Sequence, residues 1–156
     1  MAGETPRART ALLEQTRWAN DFDGMELETL AGYLRVDRRL AGQPVCREGD
    51  RDGTLFILVE GSASVVKDDG TGRQQTLATL GPGHTLGEMA LVDGSPRSAT
   101  VVAATDLLLL ALGREGLDRL CEERPKLAVK VLRKLAVFLS QRLRQTSGAL
   151  AERLGS

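Results

Sequence analysis

The chain has 156 residues, of which 42% are hydrophobic, so it is long enough to bury the core of one domain and too short for a second. Lysine plus arginine and aspartate plus glutamate both number 21, so no overall charge attracts the protein to nucleic acid or to a membrane. No apolar run reaches the length of a membrane span, and the N-terminus lacks the apolar stretch of a signal peptide. These features predict a cytoplasmic protein in which any anion site is local.

The first 35 residues predict a polar N-terminal stretch followed by a short helical segment. Residues 1–9 are polar, and we expect them to be disordered. Residues 10–35 carry apolar side chains at helical spacing, with a break at Asp23-Gly24 between two short helices. The apolar positions are Leu12, Leu13, Trp18 and Phe22 in the first part, and Met25, Leu27, Leu30 and Leu34 in the second.

Residues 36–113 consist of short β-prone runs separated by turns that contain glycine. Strands at such intervals are typical of an antiparallel sandwich or barrel, and a jelly roll of about eight strands is the simplest closure. Together with the flanking helices this predicts an α+β fold. The clearest strands are residues 54–59, 62–66, 75–80, 99–103 and 107–112.

Residues 114–156 predict two C-terminal helices. The first ends near Glu123, and Pro125 permits a new helix from Lys126 to about Leu154. The long helix carries a heptad seam, which needs a partner: either the barrel of the same chain or the same helix of a second subunit. The helix is also basic, and a solvated face is favoured over nucleic-acid binding as the reason. The seam comprises Leu132, Ala136, Leu139, Leu143, Thr146 and Leu150.

The stretch 87–100 combines a special backbone with charged groups. Gly87 permits a conformation or a close approach that a side chain would block, and residues 88–91 suit one helical turn, whose free N–H groups can bind an anion. Arg97 is the only cation of the stretch and has the planar guanidinium that suits phosphate oxygens. A salt bridge would instead need a buried acid, and the sequence locates none. Because like charges repel, Glu88 is expected to accept a hydrogen bond from a donor such as a sugar hydroxyl.

The run Gly-Glu-Met-Ala-Leu, followed after a gap by Pro-Arg-Ser-Ala-Thr, resembles the phosphate-binding cassette of cyclic nucleotide-binding domains, with the cassette at residues 86–100. The likeness, to the type found in catabolite activators and in regulatory subunits of cAMP-dependent kinase, extends over about residues 22–147. It implies a non-enzymatic regulatory module in signal transduction that binds cAMP, or cGMP, without a metal or cofactor. It also implies a homodimer through the C-terminal helix. No helix-turn-helix follows Leu154, so we expect no DNA-binding element.

The resemblance also implies roles for individual residues. Arg97 and the cassette N–H groups would hold the phosphate, and Glu88 would accept a hydrogen bond from the ribose 2′-hydroxyl. Ser98 would donate to the phosphate or to the base. The C-terminal helix would cover the base, with Thr146 reading it and Ser147 contacting it from the other subunit. Thr146 is also compatible with a tolerated polar seam position. Further members of the site are the phosphate neighbours Gly87, Met89, Ala90 and Ala99, and the apolar wall of Leu86, Leu77 and Val65, which is also compatible with ordinary core.

Two other functions are compatible with parts of the sequence. A scaffold or interaction domain with a vestigial cassette is one, and the intact Glu88 and Arg97 argue against it. A cupin-like metalloenzyme on the same barrel is the other, but it needs at least two histidines and the chain has only His84. A cyclic dinucleotide is disfavoured as the ligand because the cassette holds a single arginine.

Overall fold

The structure, a computed structural model, describes residues 5–155, and within the last helix it leaves out the side chains of 149–151, 153 and 155. The helices are α1 (Pro6–Glu14), α2 (Gly24–Ala31), α3 (Glu88–Asp93), α4 (Arg114–Glu123) and α5 (Pro125–Gly155), with a 3-10 segment at Arg17–Asp21 between the first two. The strands are β1 (Arg35–Arg39), β2 (Pro44–Cys46), β3 (Leu55–Glu60), β4 (Ala63–Asp68), β5 (Gln74–Leu80), β6 (Thr85–Leu86), β7 (Thr100–Ala103) and β8 (Leu107–Leu112).

The strands form two four-stranded sheets, in the orders β1-β8-β3-β6 and β2-β7-β4-β5. All the pairings are antiparallel. The predicted α+β fold, with eight antiparallel strands and a long C-terminal helix, is therefore confirmed.

Strand β3 contributes to two hydrophobic clusters, one on each of its faces. Residues 55–59 of the strand are all buried, although neighbouring side chains on a strand point to opposite faces. Leu55 and Ile57 pack into a cluster with the helices, whereas Phe56 and Leu58 pack into the cluster between the two sheets. A continuous apolar run is what a strand buried on both faces requires.

The N-terminus differs from the expectation of disorder over residues 1–9, because α1 begins at Pro6. Proline suits the first turn of a helix, and the Thr5 hydroxyl caps that turn by accepting a hydrogen bond from the Ala8 N–H at 3.1 Å. Residues 1–4 lie outside the described part of the chain. Both Trp18 and Phe22 are buried and stacked on each other, with ring centroids 6.1 Å apart.

Helix α5 packs one face against the N-terminal helices and leaves most of the heptad seam exposed. Its buried residues are Leu127, Ala128, Val131 and Leu135. Lys130 pairs with Glu26 at 2.7 Å, and Lys134 pairs with Asp21. On the seam, Leu132 and Leu143 are 39% and 68% exposed, and Ala136 and Thr146 are also exposed, whereas Leu139 is half-buried. The side chain of Leu150 lies outside the described residues.

None of the helices, over the residues that the structure describes, is long and apolar enough to cross a membrane.

Candidate ligand-binding site

A cavity of about 640 Å³ lies between the cassette, strands β4 and β5, and helix α5. Its volume is in the range of small-molecule sites. Most of the residues that the sequence assigns to the site line it, although their roles toward a ligand stay predictions. These are Val65, Leu86, Gly87, Glu88, Met89, Ala90, Arg97, Ser98 and Ala99.

The structure does not bring Leu77, Thr146 or Ser147 into the cavity wall. Leu77 is 57% exposed on β5, where its neighbour Ala78 pairs with Val65 and lines the cavity instead. Leu77 lies where the register between β4 and β5 shifts and has no partner on β4, so regular alternation along the strand does not predict the face that its side chain occupies. Thr146 and Ser147 are exposed on α5.

Helix α3 is short and is held in place by glycines at both ends. Gly87 caps its start and Gly94 its end, both with left-handed backbone, at φ values of +92° and +73°. Leu91 is buried and anchors the helix in the core. A Cβ atom on Gly87 would overlap the Arg97 guanidinium and the Thr54 carbonyl oxygen. Glycine at position 87 is therefore a condition for the Arg97 side chain to lie where it does.

Arg97 is buried, with 6% of its surface exposed, and lies in an ion pair. Its Nε donates to Asp52 Oδ1 at 3.0 Å, and its Nη2 lies 2.9 Å from the same oxygen and donates to the Thr54 carbonyl. Sequence reasoning located no buried acid for Arg97, and the acid that pairs with it in the structure is an exposed one, Asp52, from the loop before β3. Nη1 is buried without a hydrogen-bond partner among the described residues. A buried unpaired donor is costly, so Nη1 retains the capacity to donate a hydrogen bond.

Glu88 is 1% exposed and is also paired. The Thr85 hydroxyl donates to Glu88 Oε1, and Arg142 Nη1 of α5 lies 3.0 Å from Oε2. Arg142 Nη2 additionally donates to the Thr85 carbonyl at 3.3 Å. The contact with Oε2 is an ion pair without the geometry of a hydrogen bond, so this oxygen keeps the capacity to accept one. The Glu88 carboxylate can thus accept a hydrogen bond from a hydroxyl while it faces the Arg142 guanidinium.

The resemblance implied that the C-terminal helix covers the base, but sequence reasoning did not identify which residues of α5 line the cavity. It treated Arg142 as a member of a solvated basic face, whereas this arginine reaches the buried Glu88. The available signal was helical spacing, because the lining positions recur at i, i+3, i+4 and i+7 on a face next to the heptad seam. Those residues are Phe138, Gln141, Arg142 and Gln145.

Cys46 on β2 also lines the cavity and was not assigned to it. The thiol is buried, and burial raises its pKa. The side chain is therefore a small neutral part of the wall. The cavity as a whole offers a buried cation for an anion, a buried carboxylate for a hydroxyl, and apolar walls for a planar group.

The fold is a two-layer jelly roll, and its cassette places Glu88 near one end and Arg97 near the other. A cavity lined by such buried charges is typical of a small-molecule binding domain. The family model described as "Cyclic nucleotide-binding domain" matches residues 38–124, and the chain belongs to this family. The resemblance carried by the cassette is thereby confirmed.

Curated relatives include proteins of different overall design. A cyclic nucleotide-gated potassium channel from Mesorhizobium japonicum is 42% identical over 104 residues, which cover 67% of this chain and 27% of the channel. The cyclic AMP receptor protein of Thermus thermophilus is 38% identical over 120 residues, which cover 77% of this chain and 54% of that protein. This chain thus spans only about a quarter of the one and about half of the other.

Among solved structures, a cyclic nucleotide-binding domain from Methylobacillus flagellatus matches with a TM-score of 0.81 and 28% identity. The match covers 96% of this chain and 86% of that one. The likeness therefore includes the helices on both sides of the barrel as well as the barrel itself.

Proposed function

We propose that the chain binds a cyclic nucleotide, cAMP in the first place, as a non-enzymatic cytoplasmic sensor module. The observation that carries this proposal is that two buried charged residues line one cavity. Arg97 Nη1 has no hydrogen-bond partner among the described residues, and Glu88 Oε2 faces Arg142 but accepts no hydrogen bond. A cyclic phosphate fused to a ribose presents one anion and one hydroxyl at a fixed separation. The named functions of the relatives, a cyclic nucleotide-gated channel and a cyclic AMP receptor, support the same ligand class.

In this proposal the phosphate contacts Arg97 Nη1 and the first N–H groups of α3, which have no partner within the helix. The ribose 2′-hydroxyl donates to Glu88 next to Arg142. The base lies against the apolar wall that includes Val65, Leu86 and Phe138. A base contact from Thr146, or from Ser147 of a second copy, requires α5 to approach the cavity further than it does in this structure.

Calorimetric titration with cAMP, cGMP and 2′-deoxy-cAMP tests the proposal. We expect cAMP to bind with a dissociation constant of about micromolar or lower. Removing the 2′-hydroxyl should cost about 1–3 kcal/mol, because Glu88 would lose a partner in a buried site. The protein must first be freed of co-purified nucleotide. The proposal is refuted if neither cAMP nor cGMP produces heat or a thermal shift.

We further propose that two copies pair along the heptad seam of α5. The support is that the chain's own barrel leaves Leu132 and Leu143 exposed on this seam, next to the face that closes the cavity. Apolar residues at alternating spacings of three and four are the pattern of helix pairing. Ligand in the cavity and a partner on the seam would then act on one helix.

Sedimentation equilibrium of Leu143→Glu tests the pairing. We expect the variant to shift from dimer to monomer, because a carboxylate at a seam position must be buried in the paired state. The control is Leu40→Glu, since Leu40 is similarly exposed but lies outside α5. A wild-type protein that stays monomeric with and without cAMP would contradict the proposed dimer.

A further inference from the structure

One charged residue at the cavity comes from outside both the barrel and α5. Arg17, the first residue of the 3-10 segment, lines the cavity next to the turn that joins β5 and β6. Its side-chain stem lies against Gly83 of that turn, where a Cβ atom would be 3.7 Å from Arg17 Cγ. Because Arg17 is exposed and lines the cavity, its side chain lies at the mouth of the cavity, beside the turn that leads into β6.

The backbone that carries Arg17 is firmly anchored, although its side chain is exposed. Trp18, the next residue, is almost fully buried and packs against Phe22 and against Phe138, with ring centroids 6.1 Å apart in both cases. Thr16, the preceding residue, donates to the Leu13 carbonyl at 2.8 Å and accepts from the Trp18 N–H. The flanking contacts fix the backbone from which the Arg17 side chain extends over Gly83.

Among the charged residues that the structure describes around the cavity, all but one cation form ion pairs. Glu88 pairs with Arg142, and Arg97 pairs with Asp52. Within residues 5–155, Arg17 has no ion-pair partner, and it is the remaining charged residue of the lining at neutral pH. The lining together with Asp52 therefore carries a net charge of about +1, and this charge comes from Arg17. A cyclic nucleotide carries one negative charge, which this cation complements.

We propose that Arg17 is a ligand-recruiting residue that attracts the nucleotide phosphate into the cavity. The proposal rests on the proposed function, and it adds a ligand-directed role for the N-terminal helical segment. An unpaired cation at the mouth of a cleft raises the local concentration of an anionic ligand and speeds association. The attraction acts over a distance and is screened by salt, so it differs from the contact that Arg97 makes inside the cavity.

Stopped-flow binding of cAMP that carries a fluorophore at C8 of adenine measures this role, since the label leaves the 2′-hydroxyl free. We expect Arg17→Gln to associate roughly three- to tenfold more slowly at low ionic strength. The difference should largely vanish at ~1 M salt, where the Debye length is about 3 Å. The dissociation rate should change much less, and Arg17→Lys should keep most of the wild-type association rate.

The matched control is Arg7→Gln, which removes the same charge from an exposed arginine of α1 that lies in a different groove. Thermal unfolding of each variant without ligand verifies folding. If wild type binds and Arg17→Gln associates as fast as Arg7→Gln, the role of Arg17 is refuted and the proposed function stands. If wild type binds neither cAMP nor cGMP, the proposed function is refuted and this inference falls with it.

Discussion

Arg97→Ala is expected to weaken cAMP binding by about 2–5 kcal/mol, which corresponds to a loss of affinity of roughly thirtyfold to several thousandfold. The guanidinium is buried, and its Nη1 has no partner among the described residues, so a bound phosphate would form a desolvated charge pair with it. Calorimetric titration of the purified variant beside wild type gives the change in affinity directly.

Arg97 also supports the fold, because it links Asp52 to the Thr54 carbonyl. The loss of binding must therefore be separated from a loss of structure. Thermal unfolding without ligand provides that separation, and Arg97→Lys provides the matched variant. Lysine keeps the charge but cannot reproduce the planar set of donors, so we expect its affinity to lie between those of wild type and alanine. An Arg97→Ala protein that is folded and binds within about threefold of wild type would show that the anion is held elsewhere.

The second large effect is expected for Gly87→Ala, which should destabilise the fold by about 2–5 kcal/mol and abolish nucleotide binding. Gly87 has a φ of +92°, and a Cβ atom there would overlap the Arg97 guanidinium and the Thr54 carbonyl oxygen. The carbonyl belongs to backbone at the start of β3, which cannot easily shift. The variant therefore has to displace Arg97 or distort the cassette.

Gly72→Ala is the control that isolates the steric part of this effect. Gly72 has a similar φ of +85°, but a Cβ atom there would meet nothing within 4 Å. We expect it to lose only about 1–2 kcal/mol, the cost of left-handed backbone, and to bind cAMP normally. Urea unfolding followed by the fluorescence of Trp18 measures both variants. Equal losses for the two alanine variants would contradict the proposed crowding at position 87.

The features that could be predicted from the sequence are those encoded locally. Glycine-punctuated β-prone runs predicted the antiparallel strands, because turns and strand periodicity involve residues close in the chain. The cassette could be recognised for the same reason, since Gly87, Glu88 and Arg97 lie within eleven consecutive residues. Helix α5 was predicted from its apolar spacing and from the proline at its start.

The features that could not be predicted depend on residues far apart in the chain. Asp52 reaches Arg97 across 45 positions and Arg142 reaches Glu88 across 54. Neither ion pair leaves a trace in local composition. Leu77 shows a different limit, because it lies at a bulge in the pairing of β4 with β5, and an extra residue in one strand shifts the alternation of faces along that strand. The start of α1 was not predicted, because Thr5 and Pro6, which begin the helix, lie among polar residues.

The ion pair between Arg142 and Glu88 has a further thermodynamic consequence. The same carboxylate that is proposed to accept the ribose hydroxyl also holds α5 against the cassette, so the two interactions are linked. Suppose that a partner binds elsewhere on α5 and changes the free energy of this contact. The partner then changes the affinity for the nucleotide by some factor, and the nucleotide changes the affinity for the partner by the same factor. The Glu88 carboxylate would then couple the two sites. A partner that never touches the nucleotide would set the nucleotide concentration at which the domain responds.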